Sequence, residues 1–289
     1  MKGIVLAGGM GTRLNPLTKV INKHLLPVYN KPMIYYSLSV LMLAEIRDIL
    51  IITNIKDINA FKKLLGDGKN LGIKISYAVQ EKPNGIGEAF MIGEKFIGKS
   101  SVALVLGDNI FYGQFFYNSL LNAKKNKNVA TLFLYRVKDP SNFGVAELNS
   151  NQSKILKLTE KPKKPKSNYI VTGLYFYDNS IIQVAKKNKF SKRGELEITS
   201  INNYYLRKNK LKFEILGRGF AWLDTGSHNS LMQSSNFVKT IEEQQGFFIS
   251  CIEEIAFRNG WINSNQLRKL SKNYNGSNYS NYLIEISKN

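Results

Sequence analysis

The chain opens with a short apolar strand that runs into a glycine-rich loop. Residues 2–14 read KGIVLAGGMGTRL, so the loop is followed by the cation Arg13. Glycine lets backbone N–H groups approach an anion closely, and a guanidinium matches the oxygens of a phosphate. Ligands of open α/β sheets bind at the carboxyl ends of the strands. The stretch therefore predicts a phosphate-binding loop at the end of the first strand.

Two familiar phosphate-binding motifs do not account for this loop. The residue three positions after Gly11 is Leu14, so the dinucleotide fingerprint is not met. A literal Walker match at residues 93–100 ends a helical pattern and precedes a strand, which reverses the order of a working P-loop. The alternative for residues 2–14 is an ordinary strand-to-helix turn with a surface arginine.

Apolar strands and helical patterns alternate through the first half of the chain. Strands are predicted over 48–53, 74–79 and 102–106, and helices over 32–44, 57–65 and 85–97, with Pro32 as the first helical residue. Continuous apolar strands that alternate with helices are typical of an α/β fold with a doubly wound, mostly parallel sheet.

The second half is less regular. Strands are predicted over 129–137, 143–148, 155–159, 169–177 and 211–216, and helices over 179–187, 197–208 and from Ser227 onward. Asn, Ser, Gly and Tyr dominate residues 273–282, which predicts a loose tail.

Composition narrows the class of partner. The formal net charge of +20 favours anions such as nucleotides and phosphosugars. The densest basic cluster, residues 161–166, is short, broken by proline and free of aromatic residues, so no nucleic-acid partner is expected. The longest apolar patch, residues 33–44, is shorter than the ~20 residues of a membrane span, so no membrane partner is expected. The single cysteine, Cys251, excludes internal disulfides and fits a cytoplasmic location.

Two carboxylates follow strand patterns. Asp108 comes after the strand at 102–106 and should lie at the same sheet edge as the glycine loop. A carboxylate beside a phosphate repels it unless a divalent cation lies between them, and Mg²⁺ suits such a site. Asp224 ends another apolar run, and the alternative for both residues is a helix cap or a turn. The chain has two histidines and one cysteine, which excludes a Cys/His zinc cluster and favours phosphate-transfer chemistry.

The ordered motifs of the chain resemble the sugar-1-phosphate nucleotidyltransferases, and within them the members that transfer a thymidylyl group. The resemblance runs over nearly the whole length and includes LAGGMGTRL, YAVQEKPNGIGEAF, LVLGDNIFYG, RGELEITSIN and GRGFAWLDTGSH. It implies a Rossmann-like core over 1–240 with an inserted sugar-binding β region, and a C-terminal helical segment over 241–289 for regulatory and oligomer contacts.

The resemblance also implies a reaction. A glucose 1-phosphate oxygen attacks the α-phosphorus of dTTP in the presence of Mg²⁺, which gives dTDP-glucose and pyrophosphate. This would be the first step of dTDP-deoxysugar synthesis, for instance of the rhamnose type, for surface polysaccharide. Relatives are homotetramers under feedback inhibition at a second site.

Site residues follow from the motifs that match the family. The nucleotide site would comprise Gly8, Gly9, Gly11, Thr12, Arg13, His24, Gln80, Pro83, Gly85 and Asp108. The sugar-phosphate site would comprise Asn109, Phe143, Gly144, Glu160, Lys161, Val171 and Tyr175. The catalytic cations would be Arg13, Lys23 and Lys161, and the metal ligands Asp108 and Asp224. The regulatory site would comprise Gly113, Gln114, Arg218, Glu254, Ile255 and Arg258.

The chain departs from the family pattern at four places. His24 replaces a glutamine near the base, and the base-reading loop QEKPNGIGEAF replaces QPSPDGLAQAF, so that Glu88 stands where glutamine is usual. Phe143 replaces a tyrosine near the sugar, and Gln114 replaces a histidine of the regulatory site. The same chemistry with UTP or another sugar 1-phosphate therefore stays open, as does a non-catalytic sugar-nucleotide-binding relative.

Overall fold

A computed structural model of the chain describes residues 1–288. Its strands are β1 (Lys2–Ala7), β2 (Pro27–Val28), β3 (Lys31–Pro32), β4 (Asp48–Thr53), β5 (Lys74–Val79), β6 (Val102–Leu106), β7 (Asn109–Tyr112), β8 (Ala130–Arg136), β9 (Gly144–Leu148), β10 (Ile155–Glu160), β11 (Tyr169–Tyr177), β12 (Leu211–Leu216) and β13 (Ala221–Asp224). Its α-helices are α1 (Met33–Leu43), α2 (Ile58–Leu65), α3 (Glu88–Ile92), α4 (Glu94–Ile97), α5 (Phe116–Lys125), α6 (Ile181–Lys187), α7 (Ile198–Arg207), α8 (His228–Gln245), α9 (Ile252–Arg258), α10 (Ser264–Ser271) and α11 (Asn278–Ile286).

One large sheet organises the molecule. Its main path runs β10-β9-β11-β6-β1-β4-β5, and β8 and β12 extend it from β11. The strands β6, β1, β4 and β5 are parallel, with Leu6 opposite both Leu106 and Ile52. The predicted α/β fold is confirmed. The antiparallel strands β8 to β11 come from the middle of the chain.

Hydrophobic cores fill both faces of the sheet. Along β1, Ile4 and Val5 point to opposite faces, as consecutive strand residues must, and both are fully buried. Val5 belongs to the core that includes α1, α2 and the C-terminal helices, and Ile4 to the core that includes α3, α6 and α7. Helix α1 is apolar almost all round because it lies between the sheet and α9.

Two predicted helix starts were wrong. Pro32 precedes α1 at its N-cap position, in extended conformation, because it is already paired in β3. The helix predicted over 85–97 begins only at Glu88 and is divided into α3 and α4 at Gly93. Residues before Glu88 stay in a loop because Gly87 N donates a hydrogen bond to Leu196 O at 2.9 Å.

The C-terminal segment is ordered, so the prediction of a loose tail was wrong. Helix α11 is capped by Ser277 and buries Tyr282 and Leu283 against the larger core. Tyrosines in that stretch serve as core residues, which composition alone does not reveal. The domain boundary at 240/241 stays a prediction, and α8 crosses it without a break. Within residues 1–288, no helix has both the length and the apolarity that a membrane span requires.

Candidate active site

The glycine loop and Asp108 lie at the same edge of the sheet because they follow the neighbouring parallel strands β1 and β6. Asp224 reaches this edge by another route, which the sequence patterns did not show. The chain continues from Asp108 into β7, which pairs with β13 in an antiparallel ribbon that sets Asp224 opposite Asn109. Thr225 closes the ribbon, since its N and Oγ1 both donate to Asp108 O. The two predicted metal ligands are thereby brought together.

Asp108 is held from both sides. Its Oδ2 accepts a hydrogen bond from Lys23 Nζ, and its Oδ1 accepts one from Asn109 Nδ2 at 3.0 Å. Burial, the largest single influence, would raise the pKa of Asp108. The charge of Lys23, the neighbouring His24 and the hydrogen bonds from Lys23 and Asn109 together outweigh it and hold that pKa below its ordinary value. Asp108 therefore stays ionised, beside a buried lysine that a ligand could engage.

Asp224 differs from Asp108 because its pKa is raised and not lowered. Burial, followed by repulsion from Asp108, raises the pKa of Asp224 to about 6. Arg13 lies close by, since a Cβ added to Gly226 would stand 2.7 Å from the Arg13 guanidinium and 3.2 Å from Asp224 Oδ1. A larger residue at 226 would displace the Arg13 guanidinium from this position. Two crowded carboxylates and an exposed arginine favour a ligand that brings both a cation and phosphate oxygens.

The donor set fits Mg²⁺. Within residues 1–288, no group of three or more His, Cys, Asp or Glu side chains could hold a metal ion, and the predicted ligands Asp108 and Asp224 are a pair. Mg²⁺ binds through one or two carboxylates and fills its other positions with substrate phosphates and water, whereas an all-protein metal cage would need more ligands. The pair would therefore hold the cation together with a phosphate-bearing substrate.

A cavity of about 200 Å³ adjoins the carboxylates. It is lined by all seven residues of the predicted sugar-phosphate site together with Arg13, Asp108 and Asp224. Glu160 Oε2 accepts a hydrogen bond from Thr199 Oγ1 at 2.5 Å, which aims the carboxylate into the cavity. A Cβ added to Gly144 would lie 3.0 Å from Thr199 Oγ1, so glycine keeps the floor of the cavity open.

Cations surround Glu160 at the mouth of the cavity. Lys161 Nζ lies 4.0 Å from Glu160 Oε1, and Arg193 NH1 lies 3.9 Å from the same atom. Lys161 has a φ of 40°, a conformation that costs a non-glycine residue energy and is concentrated at functional sites. Its N–H donates to Phe143 O at 3.0 Å, which fixes the turn. The arrangement suits a sugar whose hydroxyls meet a carboxylate while its phosphate meets lysine and arginine.

The predicted base-binding residues lie beside the glycine loop and on the loop that follows β5. Gln80 packs against Gly8 at the end of β5, and the neighbouring Gly85 has a φ of 103° and leaves no room for a Cβ against Leu196. Pro83 is exposed on the same loop. His24 is buried between the glycine loop and Gly107.

The predicted regulatory residues form a separate surface. Gly113, Gln114 and Arg218 line a cavity of about 720 Å³ between β7 and β12, and Glu254 and Ile255 line an adjoining one of about 280 Å³. Gly113 lines both. Arg258 lies outside them and donates to Glu254 Oε1 at 2.7 Å, which is the helical i,i+4 pair that its spacing also allows.

Sequence patterns missed several residues of the cleft. Trp222 donates its indole N–H to Asn109 Oδ1 at 2.8 Å, and Thr199 and Arg193 flank Glu160. All three lie inside motifs that resemble the family, but the resemblance did not assign a role to any of these residues. Asn109, predicted to contact the sugar phosphate, also accepts from Gly173 N at 3.0 Å. Its amide is therefore engaged by the protein around Asp108.

Known proteins match this chain over its whole length. A family model described as nucleotidyl transferase matches residues 2–241. Glucose-1-phosphate thymidylyltransferase of Neisseria meningitidis is 55% identical over 288 residues, which cover 100% of both chains. The protein of the same name from Mycobacterium tuberculosis is 52% identical and covers 99% of each chain.

Solved structures agree with the fold. A crystal structure named for glucose-1-phosphate thymidylyltransferase, from Bacillus anthracis in complex with a sucrose, has a TM-score of 0.74 at 43% identity and covers 82% of this chain and 94% of that one. A UDP-glucose pyrophosphorylase with UDP-glucose has a TM-score of 0.72 at 24% identity, covers 83% and 98%, and supports the fold alone. The chain belongs to the nucleotidyl transferase family and is a nucleotidyltransferase.

Proposed function

We propose that the chain transfers a thymidylyl group from dTTP to glucose 1-phosphate in the presence of Mg²⁺, and so forms dTDP-glucose and pyrophosphate. The observation that carries the proposal is the shared cleft, in which all seven predicted sugar-phosphate residues adjoin Arg13, Asp108 and Asp224. The names of the relatives at 50–55% identity support the same substrates.

The sugar end of the cleft would orient the acceptor. The Glu160 carboxylate, held by Thr199, would accept hydrogen bonds from sugar hydroxyls. The exposed Lys161, which lines the cavity, would hold the sugar phosphate. Binding both ends of the acceptor would aim one phosphate oxygen at the nucleotide, and positioning of this kind supplies much of the catalysis in phosphate transfer.

The phosphate end would stabilise the charge that moves during the reaction. The oxygen of the sugar phosphate forms a bond to the α-phosphorus, and the bond from that phosphorus to pyrophosphate breaks with its electron pair on the leaving group. Arg13 and Lys23 would neutralise the negative charge that grows on these oxygens. A divalent cation bound at Asp108 and Asp224 would supply further charge neutralisation.

The proposal is tested by pyrophosphate release. We expect rapid release from dTTP and glucose 1-phosphate with Mg²⁺, slower release from UTP and purine triphosphates, and none with EDTA. A preference for UTP would mean that UTP, and not dTTP, is the nucleotide substrate. Release that persists in EDTA would show that the reaction needs no divalent metal. Absence of release with every nucleotide and sugar phosphate would favour a non-catalytic sugar-nucleotide-binding protein.

A variant pair tests the carboxylates. Asp224→Asn should abolish release without unfolding the chain, because the amide removes a charge from the predicted cation site. Asp67→Asn is the matched control, since Asp67 is exposed and pairs with the exposed Lys69. An active Asp224→Asn enzyme would contradict the metal-binding role. The homotetramer, the cytoplasmic location and the deoxysugar pathway remain part of the prediction from the family resemblance.

A further inference from the structure

Gln80 is fixed at the end of β5 with little freedom. Its backbone N–H donates to Thr53 O at 2.8 Å, which continues the pairing of β5 with β4. The residue is only 5% exposed. Its side-chain amide has two chemically different ends, an NH₂ donor and an oxygen acceptor. The end that faces the glycine loop decides which groups of a ligand Gln80 can recognise.

Glu88 determines that orientation. Its Oε2 accepts a hydrogen bond from Gln80 Nε2 at 2.8 Å, and its Oε1 accepts one from Asn84 Nδ2 at 2.8 Å. A carboxylate only accepts hydrogen bonds, so the Gln80 edge that faces Glu88 must be the NH₂ group. The same nitrogen also faces Gly85 O at 3.4 Å, another acceptor. Both neighbours therefore favour one orientation of the amide.

The carbonyl oxygen of Gln80 is left facing the glycine loop. A Cβ added to Gly8 would lie 2.6 Å from Gln80 Oε1, so the oxygen rests directly against the loop. Within residues 1–288, no protein donor is bonded to this oxygen, and no fully enclosed side-chain oxygen or nitrogen lacks a partner. Oε1 is therefore an acceptor without a protein donor that is not fully enclosed and faces the glycine loop.

We propose that Glu88 is a positioning residue that holds Gln80 as a hydrogen-bond acceptor and so selects pyrimidine bases with an N–H at ring position 3. Thymine and uracil have that hydrogen, whereas the N3 of cytosine is itself an acceptor and would repel the Gln80 oxygen. The glutamine that is usual at position 88 could hold the Gln80 amide in either orientation, but glutamate can hold it in one only. The inference rests on the proposed nucleotidyl transfer and specifies its base class.

The test compares dTTP with dCTP. We expect the wild-type protein to prefer dTTP in kcat/KM at saturating glucose 1-phosphate. Glu88→Leu removes the carboxylate at similar size and should lower the dTTP-to-dCTP ratio roughly tenfold or more, mainly through the KM of the nucleotide. Glu88→Gln should give an intermediate ratio. The KM for glucose 1-phosphate should stay constant, which a general structural defect would not predict.

Glu94→Gln is the matched control, because Glu94 begins the next helix and pairs with Lys186 at 2.5 Å away from the base loop. A folded Glu88→Leu protein with the wild-type ratio would overturn the inference, and so would a wild-type protein that accepts dCTP as well as dTTP. If Glu88→Leu does not fold, an unchanged ratio in Glu88→Gln overturns it. If the wild-type protein releases no pyrophosphate, the proposed function fails, and calorimetric binding of dTTP and dCTP to the same variants decides this inference separately.

Discussion

Arg13 is exposed at the edge of the cleft, where its guanidinium approaches Asp224 and Gly226. A planar fork of donors matches two phosphate oxygens in a fixed bidentate geometry, whereas a lysine ammonium is a point charge on a flexible stem. We therefore expect Arg13→Lys to lower the kcat for pyrophosphate release by roughly 100-fold, the cost of losing one preorganised donor. Arg207→Lys, at an exposed arginine of α7, controls for the change of side chain. Near-normal turnover by Arg13→Lys would show that Arg13 does not bind the reacting phosphates through its guanidinium.

His24 makes folding depend on pH. Burial lowers its pKa to about 4, and Nδ1 donates to Asn22 Oδ1 at 2.9 Å in the neutral ring. The unfolded chain binds a proton below about pH 6.5 while the folded one does not, so stability is lost as pH falls from about 6.5 to 4. Between pH 7 and 4.5, His24 should cost the wild-type protein roughly 2–3 kcal/mol of unfolding free energy, and His24→Gln should not show this loss.

Urea unfolding at both pH values measures this difference. His228→Gln changes the other histidine, which is exposed, and should follow the wild-type profile. The same pH profile for His24→Gln and the wild type would show that the imidazole is not held neutral by burial.

At the scale of elements, the β7–β13 ribbon positions the carboxylates through Asn109. Asn109 Oδ1 accepts hydrogen bonds from Gly173 N at 3.0 Å and Trp222 Nε1 at 2.8 Å, all in the buried interior. Asn109→Ala would leave both donors without a partner and should lower the free energy of unfolding by about 2–4 kcal/mol. Urea denaturation of this variant, alone and combined with Trp222→Phe, gives the coupling between the two side chains. Simple additivity would contradict the hydrogen bond.

The same ribbon marks the limit of prediction from sequence. The strands β4, β5 and β6 were predicted residue for residue, because β4 and β6 are mainly continuous apolar runs and β5 alternates between apolar and polar residues. β7 was missed because it follows β6 after only two residues and has only four residues, too few to show a period of their own. Asp108 and Asp224 lie close together because β7 pairs with β13, which is distant in sequence. The sequence pattern therefore identified both carboxylates as candidates but could not show that they are neighbours. The seven sugar-phosphate residues came from the family motifs.

At the scale of the whole molecule, one buried ion pair ties the N-terminal region to α8. Lys31 Nζ lies 2.7 Å from Glu242 Oε1, and their side chains are only 2% and 5% exposed. Burial lowers the pKa of Lys31, and Glu242 counteracts it. The Lys31 ammonium also stands 5.2 Å from the Phe248 ring centre and 6.0 Å from that of Tyr279, so both rings enclose the cation. This cluster connects the catalytic core to the C-terminal helices.

Lys31→Met should therefore be far more damaging than loss of a surface pair. It leaves the Glu242 carboxylate buried without its cation, which costs about 3–5 kcal/mol of unfolding free energy. Lys69→Met breaks the exposed pair with Asp67, which solvent screens, and should leave the free energy of unfolding nearly unchanged. Urea unfolding of both variants at pH 7 gives the comparison. Equal losses would mean that the buried pair contributes no more than the exposed one, and that apolar packing alone holds the C-terminal helices to the core.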